Sequence, residues 1–506
     1  MVANRVGATV AEQERLLGRI AEGVARKNPR YRAFGIPTTV SVGDIQKRLR
    51  GDEALVVFAS ETGDFKGDGE GHRPSYIWVI RSSDATFRRL AIEEKEIADQ
   101  VKALRCGLDY DVVWGDGRCA DLLGVSYGKG DYNDGKPLPF DVARAYDLYR
   151  KLFGGVEELI RGKQLLIVAS GPLTQLPFQL LVTEPARVAF PNSSLGYRDV
   201  AWLSRKHAIT TLPAVSSLEA LRAFAKDSHA DEIYVGFGNP LLQGEPEKYK
   251  EDADRAALAR ARQRCDSLSG SKVSSADNAR QGIRSFALND AGLADLAAIR
   301  RQVPLPETAE ELCDVAKIVG VSAAQVHLGA EATESAVKQL SADGSLSKYR
   351  IIHFATHGFV AGQLSATSEP GLVLTPPETA SEGDDGYLAA SEIAALKLDA
   401  DWVILSACNT AAGGTGNADA LSGLARAFFY AGARSLLVSH WAVNSRAAVA
   451  LVTKTASALK DDPKIGRAEA LRRAMLSMIN AGDEREAHPA FWAPFVLVGE
   501  GAATVH

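Results

Sequence analysis

The chain has 506 residues, enough for two or three domains with sizeable hydrophobic cores. Its composition is ordinary for a globular protein, with 46% hydrophobic and 24% charged residues, and acidic and basic residues are interspersed to a formal net charge of −5. These values argue against a nucleic-acid partner, which would need a concentrated basic surface, and no apolar run is long enough to cross a bilayer.

The cysteines are scattered along the chain and odd in number. No pair shows CxxC spacing, which argues against a cysteine zinc site, and the odd count argues against a disulfide framework. Both observations favour a reducing compartment. The first twenty residues are charged and lack a signal-peptide core, so we expect a cytoplasmic protein. The five cysteines are Cys106, Cys119, Cys265, Cys313 and Cys408.

Residues 1–45 predict a helix followed by a linker. Apolar residues recur at helical spacing from Leu16 to Val24, so we expect a short amphipathic helix that needs a surface to pack against. It is suited to be the last helix of an upstream helical repeat array, in which case the chain is a fragment or a short relative. Residues 46–145 predict a β-hairpin, EALVVFAS and SYIWVIRS around a Gly- and Asp-rich loop, and then helices. The helices are expected at about Leu90–Gly107 and Phe140–Arg161.

From Gln164 onward, apolar strands alternate with helices, which predicts an α/β fold with a largely parallel sheet covered on both faces. We divide this part into a first half at 146–300 and a second half at 301–506. Residues 243–290 are polar and weakly periodic, so we expect a flexible insertion with some helix around Asp252–Arg264. The predicted strands are QLLIVAS, EIYVGFG, QVHLG, RIIHFATHG, GLVLT, DWVILSAC, RSLLVSHW and WAPFVLVG.

Two histidines lie four residues apart in the predicted strand YRIIHFATHGFV. A shared metal ion is rejected, because strand rise would separate the rings of His353 and His357 by about 13 Å. His353 lies among large apolar residues, so we expect a buried histidine with satisfied hydrogen bonds. His357 lies at the end of the strand, where functional groups of open α/β sheets gather. The next residue, Gly358, has no Cβ and allows a substrate to approach the backbone N–H.

Cys408 ends another predicted strand, DWVILSAC, and is followed by the small residues of NTAAGGTGN. A structural role is the common outcome for a buried cysteine, but this setting and the nearby His357 favour catalysis. A thiolate attacks as the nucleophile, and an imidazole carries the proton to the leaving amine. The backbone N–H groups of Gly358 and Cys408 are then candidate donors to an oxyanion. No Asp or Asn is placed to orient the imidazole, so we predict a dyad.

The segments IIHFATHGFV and WVILSACNTAAGG resemble the paired His and Cys motifs of the CHAT domain family, caspase–separase–gingipain-like cysteine peptidases. The similarity extends to GPLTQLPFQLLV, LPETAEELCDVAKIVG, VHLGAEATESAV, LARAFFYAGARSLLVSHWAVN and HPAFWAPFVLVG. It covers roughly Tyr146 to Gly499. The resemblance implies a caspase-like three-layer α/β/α sandwich, with a degenerate first half and an active second half. By motif match it implies that His357 is the base and Cys408 the nucleophile, and it implies no cofactor.

The specificity pocket is where this chain departs from the family. Many relatives carry an acidic residue just after the Trp-x-Val segment, whereas this chain has Ser445 there, which puts a preference for Arg or Lys before the cut in doubt. Asp384, Asp385 and Asp419 are alternative sources of charge, although solvated loop positions are the commoner outcome. His440 ends a strand and is a candidate for the cleft, against the alternative of wall packing.

Two functions from different classes follow. The first is a cysteine endopeptidase that cleaves a protein substrate, controlled by an activating protein, a helical repeat partner or another signal. The resemblance associates such proteases with bacterial defence and cell death. The second is a catalytically silent scaffold or signalling module that binds partner proteins, and an intact dyad argues against it. An acyltransferase or esterase with the same dyad has no supporting motif. Self-processing in residues 243–290 is a further expectation.

Overall fold

The computed structural model describes residues 39–60, 73–109, 114, 118–224, 228–268, 293–359, 369–406, 420–441 and 445–502. Its strands are β1 Glu53–Ser60, β2 Pro74–Ile80, β3 Ala85–Glu93, β4 Gln164–Val168, β5 Ile209–Thr211, β6 Glu232–Gly238, β7 Val326–Leu328, β8 Tyr349–Ala355, β9 Gly358–Phe359, β10 Gly371–Val373, β11 Tyr387–Ala389, β12 Trp402–Leu405, β13 Ser435–Ser439 and β14 Phe495–Gly499.

One α-helix precedes β1 and the others lie between strands, and over residues 301–502 they follow the predicted alternation. They are α1 Val42–Arg48, α2 Glu94–Cys106, α3 Arg118–Leu123, α4 Lys129–Asn133, α5 Val142–Phe153, α6 Glu157–Ile160, α7 Leu203–Lys206, α8 Val215–Phe224, α9 Lys250–Ala261, α10 Leu296–Arg300, α11 Thr308–Val319, α12 Glu334–Ala342, α13 Ala390–Ala395, α14 Ala420–Ala431, α15 Ser445–Asp461, α16 Gly466–Ala481 and α17 Pro489–Trp492. None of the described helices is long and apolar enough to span a membrane.

The strands form one large sheet of eleven strands and one small sheet of three. The large sheet has the order β3-β2-β1-β4-β5-β14-β13-β12-β8-β6-β7, and the small one has the order β11-β10-β9. From β1 through β7 in this order, every pairing is parallel except that of β13 with β14. The carboxyl ends of β6, β8 and β12 therefore lie at one edge of the sheet.

Both faces of the large sheet are buried under helices, which confirms the predicted α/β/α sandwich. Alternate residues of β12 point to opposite faces, so Trp402 and Ile404 join one core while Val403 and Leu405 join the other. The first core is covered by α2, α5, α11, α15 and α16, and the second by α1, α8, α12, α13 and α14. Burial on both faces explains the continuous apolar strands of the sequence.

The N-terminal hairpin belongs to the same sheet as the rest of the chain. β1 pairs antiparallel with β2, as predicted, and its other edge pairs parallel with β4. The sequence did not predict β3, which occupies part of the stretch expected to be helical and pairs with β2. Its exposed residues, among them Phe87 and Arg88, leave little of the alternation that marks a half-buried strand. The helix α2 begins only at Glu94.

Residues 243–268, the first part of the predicted insertion, contact the rest of the fold. They contain α9, close to the helix predicted around Asp252–Arg264, and Arg255 of this helix forms an ion pair with Glu307 at 2.8 Å. The charge of Arg255 is thus used in a contact with the residue that directly precedes α11. The remainder of the predicted insertion, 269–290, lies outside the described residues.

Two disulfide bonds contradict the expectation that the cysteines are unpaired. Cys106 bonds to Cys119, and Cys265 bonds to Cys313, with Cα–Cα distances of 5.6 Å and 5.5 Å. The partners are 13 and 48 residues apart in the chain and meet only through folding, so their spacing carried no signal. Because the expectation of no disulfide bonds was wrong, the cysteines no longer support a reducing compartment. The fifth cysteine, Cys408, lies outside the described residues.

Candidate active site

His357 lies at the carboxyl-terminal edge of the large sheet, as predicted. It follows β8 by two residues and directly precedes β9 of the small sheet. Its side chain is fully buried, and its backbone carbonyl accepts a hydrogen bond from the N–H of Val373 in β10. The small sheet therefore packs next to this residue. The imidazole is enclosed in this structure.

The imidazole of His357 is hydrogen-bonded to the backbone of the segment between α10 and α11. Its Nε2 atom lies 2.7 Å from the carbonyl oxygen of Val303, and both groups are buried. A carbonyl oxygen can only accept, so Nε2 carries the proton of this bond. In the neutral ring the lone pair then resides on Nδ1, which makes Nδ1 the basic atom of the ring.

The segment that carries Val303 is fixed by arginines of the α9 region. Arg255 donates from Nε to the carbonyl of Pro304 at 2.9 Å and from Nη2 to both carboxylate oxygens of Glu307 at 2.8 Å. Arg262 donates to the carbonyl of Pro306 at 3.4 Å. Multiple charge-assisted hydrogen bonds of this kind hold a backbone segment in one position. The α9 region thus positions the carbonyl that orients His357.

Sequence reasoning missed Val303 as a partner of the histidine and predicted a dyad without an orienting group. The contact uses a backbone carbonyl, which every residue type possesses, so no side-chain pattern could have indicated it. It also joins positions 54 residues apart.

The strand that leads to Cys408 pairs with the strand that leads to His357. β12 and β8 are parallel, with Trp402 opposite Ile351 and Leu405 opposite Phe354. The ladder continues to Ser406, whose N–H donates to the carbonyl of Phe354 at 2.9 Å. Ser406 is the last described residue of this stretch, and the predicted nucleophile Cys408 lies outside the described residues.

The other predicted site residues occupy different settings. Gly358 is in β9 and lies opposite Leu372 of β10, directly after the candidate base. Ser445 is the first residue of α15, and Asp419 lies outside the described residues. Asp385 accepts hydrogen bonds from the N–H groups of Ala294 and Tyr387, so its carboxylate links its own loop to the segment that precedes α10.

His440 directly follows β13 and is almost fully buried. Burial, reinforced by the positive charge of Arg105, lowers the pKa of His440 to about 3, so the ring is neutral at physiological pH. It borders a cavity of about 30 Å³ together with Leu173, Thr174 and Phe178. These neighbours come from the first half of the predicted CHAT region. This environment fits the wall-packing alternative.

His353 has the structural role predicted for it. Its Nδ1 atom lies 3.1 Å from the hydroxyl of Tyr234, and its Nε2 atom lies 3.1 Å from a carboxylate oxygen of Glu311. All three side chains are buried, so both ring nitrogens are used in the core. Among the described residues, no group of three or more His, Cys, Asp or Glu side chains could hold a metal ion.

Curated relatives resemble only part of this chain. Tetratricopeptide repeat protein 28 of Mus musculus is 30% identical over 230 residues, which cover 39% of this chain and 9% of that protein. The Homo sapiens protein of the same name is 28% identical over 230 residues, which cover 8% of that protein. The chain thus spans less than a tenth of the length of these relatives.

Solved structures with a similar fold have low sequence identity to this chain. The Arg-specific cysteine proteinase gingipain R is 10% identical, with a TM-score of 0.36 over 72% of this chain and 67% of that one. The separase–securin complex of Saccharomyces cerevisiae is 9% identical, with a TM-score of 0.41 over 91% of this chain and 31% of that one.

The family model of the CHAT domain matches residues 142–500, more than two thirds of the chain. The match contains the candidate base, the segment with Val303 and the strand that leads to Cys408. The chain belongs to the CHAT domain family.

Proposed function

We propose that this chain is a cysteine endopeptidase that cleaves a protein substrate with Cys408 as the nucleophile and His357 as the base. The observation that carries the proposal is the register of β8 and β12. Each paired position differs by 51 in residue number, and Cys408 and His357 differ by the same 51. In the sequence, His357 comes two residues after the end of β8 and Cys408 three residues after the end of β12, so both follow neighbouring parallel strands at their carboxyl ends.

The tautomer of His357 supports the role of a base. The bond to the Val303 carbonyl assigns the proton to Nε2, which leaves Nδ1 to take the proton of the thiol. The sulfur then attacks the substrate carbonyl carbon, whose oxygen becomes an oxyanion stabilised by the N–H groups of Gly358 and Cys408. Collapse breaks the C–N bond, and the imidazolium returns its proton to the leaving amine. Water, deprotonated by the same imidazole, hydrolyses the thioester and restores the thiol.

The disulfide bonds support the choice of nucleophile. Cys106, Cys119, Cys265 and Cys313 are consumed in the two bonds, so none of them offers a thiolate. Cys408 is the remaining cysteine of the sequence. A thiol mechanism in the oxidised protein therefore has to use Cys408.

We further propose that the activity is latent and released by a partner or another signal, with bacterial defence or cell death as the setting. The full burial of His357 supports latency, because a substrate carbonyl reaches an enclosed imidazole only after neighbouring chain moves. The name of the curated relatives, tetratricopeptide repeat protein 28, supports a helical repeat partner. Ser445, His440 and Asp419 stay candidates for the specificity pocket. A cytoplasmic location stays a prediction.

The decisive experiment compares the wild type with C408A in a cell lysate that contains candidate activators, and maps new protein N-termini by mass spectrometry. N-termini produced by the wild type and absent with C408A support the protease. Identical N-termini with both proteins would remove Cys408 from the mechanism. Capture of the same partners by both proteins without any new N-terminus would favour the catalytically silent scaffold.

A further inference from the structure

A cavity of about 440 Å³ opens at the edge of the large sheet opposite the candidate active site. It lies at the amino ends of β6, β8 and β12, where Ile233, Ile351 and Trp402 contribute to its wall. Six residues of strand separate Ile351 from His357, a distance of about 20 Å at the usual rise per residue. The cavity is therefore a different site from the proposed catalytic one. Its volume is in the range of pockets that hold small organic molecules.

Much of the cavity lining is apolar. Trp402, which is almost fully buried, forms part of this surface. Aliphatic side chains from the end of α11 and from α15 complete it, so a ligand with a hydrocarbon or aromatic body would remove apolar area from water on binding. These apolar lining residues are Ile233, Val319, Ile351, Ala456 and Leu459.

The charged residues of the lining are mostly basic. Arg350, Lys460 and Arg467 line the cavity together with a single carboxylate, that of Asp401. Asp401 is already paired, since its Oδ2 atom lies 2.9 Å from Nε and 2.8 Å from Nη2 of Arg350. Lys460 lies at the exposed mouth, where Nζ donates to the carbonyl of Ile318 at 3.0 Å. The unbalanced charge of the cavity is therefore positive.

Arg467 is the feature that points to an anion. Its side chain is only 9% exposed, and its Nε atom donates to the carbonyl of Glu500 at 3.3 Å. Within the described part of the chain no carboxylate lies at ion-pair distance from Arg467. The two carboxylates whose charge acts on it, those of Asp401 and Glu500, are paired with Arg350 and Arg222 at 2.8 Å. Burial lowers the pKa of Arg467, so an anion beside it would offset the cost of keeping a buried guanidinium charged.

The backbone around Arg467 also favours an anionic ligand. Gly466 and Arg467 are the first two residues of α16, a helix of sixteen residues, and both line the cavity. The N-terminus of a helix carries a partial positive charge, which favours negatively charged groups. The guanidinium, the ammonium of Lys460 and the helix terminus therefore lie at one cavity that is also lined by apolar side chains.

We propose that this cavity is a binding site for a small amphipathic carboxylate, with its carboxylate on Arg467 and its apolar body against Trp402. The site is independent of the proposed peptidase activity. A carboxylate suits the planar donors of a guanidinium, which can form two parallel hydrogen bonds to it.

The test is isothermal titration calorimetry of the whole chain with 4-phenylbutyrate, 4-phenylbutan-1-ol and 4-phenylbutylamine. These probes share the apolar body and differ in charge. We expect saturable binding of the carboxylate at one site, and binding at least tenfold weaker for the alcohol and the amine, as a charge-assisted hydrogen bond is lost. Absence of saturable binding of the carboxylate up to about 10 mM would overturn the proposal, as would equal affinity for the amine.

Variants assign the binding to this cavity. R467M should weaken carboxylate binding at least tenfold and K460E by about threefold, since the first removes the buried charge and the second reverses an exposed one. R473M is the matched control, because Arg473 is on the same helix but pairs with Asp462 and Glu469 outside the cavity. Wild-type affinity in folded R467M and in K460E would overturn the proposal. If R467M does not fold, the result with K460E decides.

Discussion

The Nε2 atom of His357 lies 2.7 Å from the carbonyl oxygen of Val303, 54 positions earlier in the chain. This bond links the end of a central sheet strand to the segment between α10 and α11. It sets the ring orientation and assigns the Nε2 proton, and both are needed before Nδ1 can act as a base toward a thiol.

The reactivity of Cys408 should depend on His357. We expect H357N to slow carboxamidomethylation of Cys408 by iodoacetamide at pH 7 about tenfold, because the thiolate fraction falls when the neighbouring base is lost. The measurement is the rate of modification of Cys408 by mass spectrometry across pH 5 to 9. In the wild type the rate should rise at lower pH than in the variant.

The control for this experiment is H327N, at a histidine of β7 on the same sheet. It should leave the alkylation rate of Cys408 unchanged. The same pH profile in the wild type and H357N would show that His357 does not interact with the thiol. Modification of another cysteine in the native protein would contradict the two disulfide bonds.

Arg255 should act as a positioning residue for His357. R255M removes the hydrogen bonds to Pro304 and Glu307, so the Val303 carbonyl is held less firmly and the imidazole samples other orientations. We expect the pH profile of Cys408 alkylation to move toward that of H357N, with a rate several-fold below wild type at pH 7. R260M, at an exposed position of the same helix, is the matched control. A loss of stability with an unchanged pH profile would reduce Arg255 to a purely structural role.

The sequence predicted the second half of the fold well because its strands are buried on both faces. The strands WVIL of β12 and SLLVS of β13 are buried at every residue and have apolar centres, and each lies where it was expected. β3 was not predicted because it is an edge strand. It exposes Phe87, Arg88 and Arg89, so apolar and polar residues do not alternate in its sequence. A hydrophobic pattern in the sequence reflects which residues are buried, and an edge strand such as β3 has few buried residues.

The parts of the candidate site also differ in whether the sequence could predict them. The position of His357 at a strand end follows from local sequence, and the structure has it there. No sequence pattern predicts the Val303 carbonyl or the arginines of the α9 region that hold its segment, because they come from distant parts of the chain. The disulfide bond between Cys265 and Cys313 was missed for this reason too, since 48 residues separate its two ends.

That disulfide bond should contribute more to stability than the other one. In the chain-entropy model, closing a loop of 48 residues stabilises by about 4 kcal/mol and a loop of 13 residues by about 3 kcal/mol. We expect C265S/C313S to lower the free energy of unfolding more than C106S/C119S, measured by denaturant titration without reductant. Identical unfolding of the wild type with and without reductant would contradict both bonds.

The stability of the protein should fall in mild acid because of buried neutral histidines. His488 is fully buried, with Nε2 2.9 Å from the carbonyl of Leu138 and Nδ1 accepting from the N–H of Ala490 at 3.2 Å. Burial lowers the pKa of His488 to about 4, against about 6.5 in the unfolded chain. Between these values the unfolded state binds more protons than the folded state, so the free energy of unfolding decreases as the pH falls.

The expected contribution of His488 is a loss of about 2 kcal/mol between pH 7 and pH 5, since each pH unit below 6.5 costs about 1.4 kcal/mol. His440, whose pKa is lowered to about 3, should act in the same direction and by a similar amount. The measurement is denaturant unfolding of the wild type and H488Q at both pH values. H488Q should lose about 2 kcal/mol less than the wild type over this interval, whatever its stability at pH 7. H229Q, at an exposed histidine, should keep the wild-type pH dependence. An equal loss in the wild type and H488Q would mean that His488 is not buried as a neutral ring.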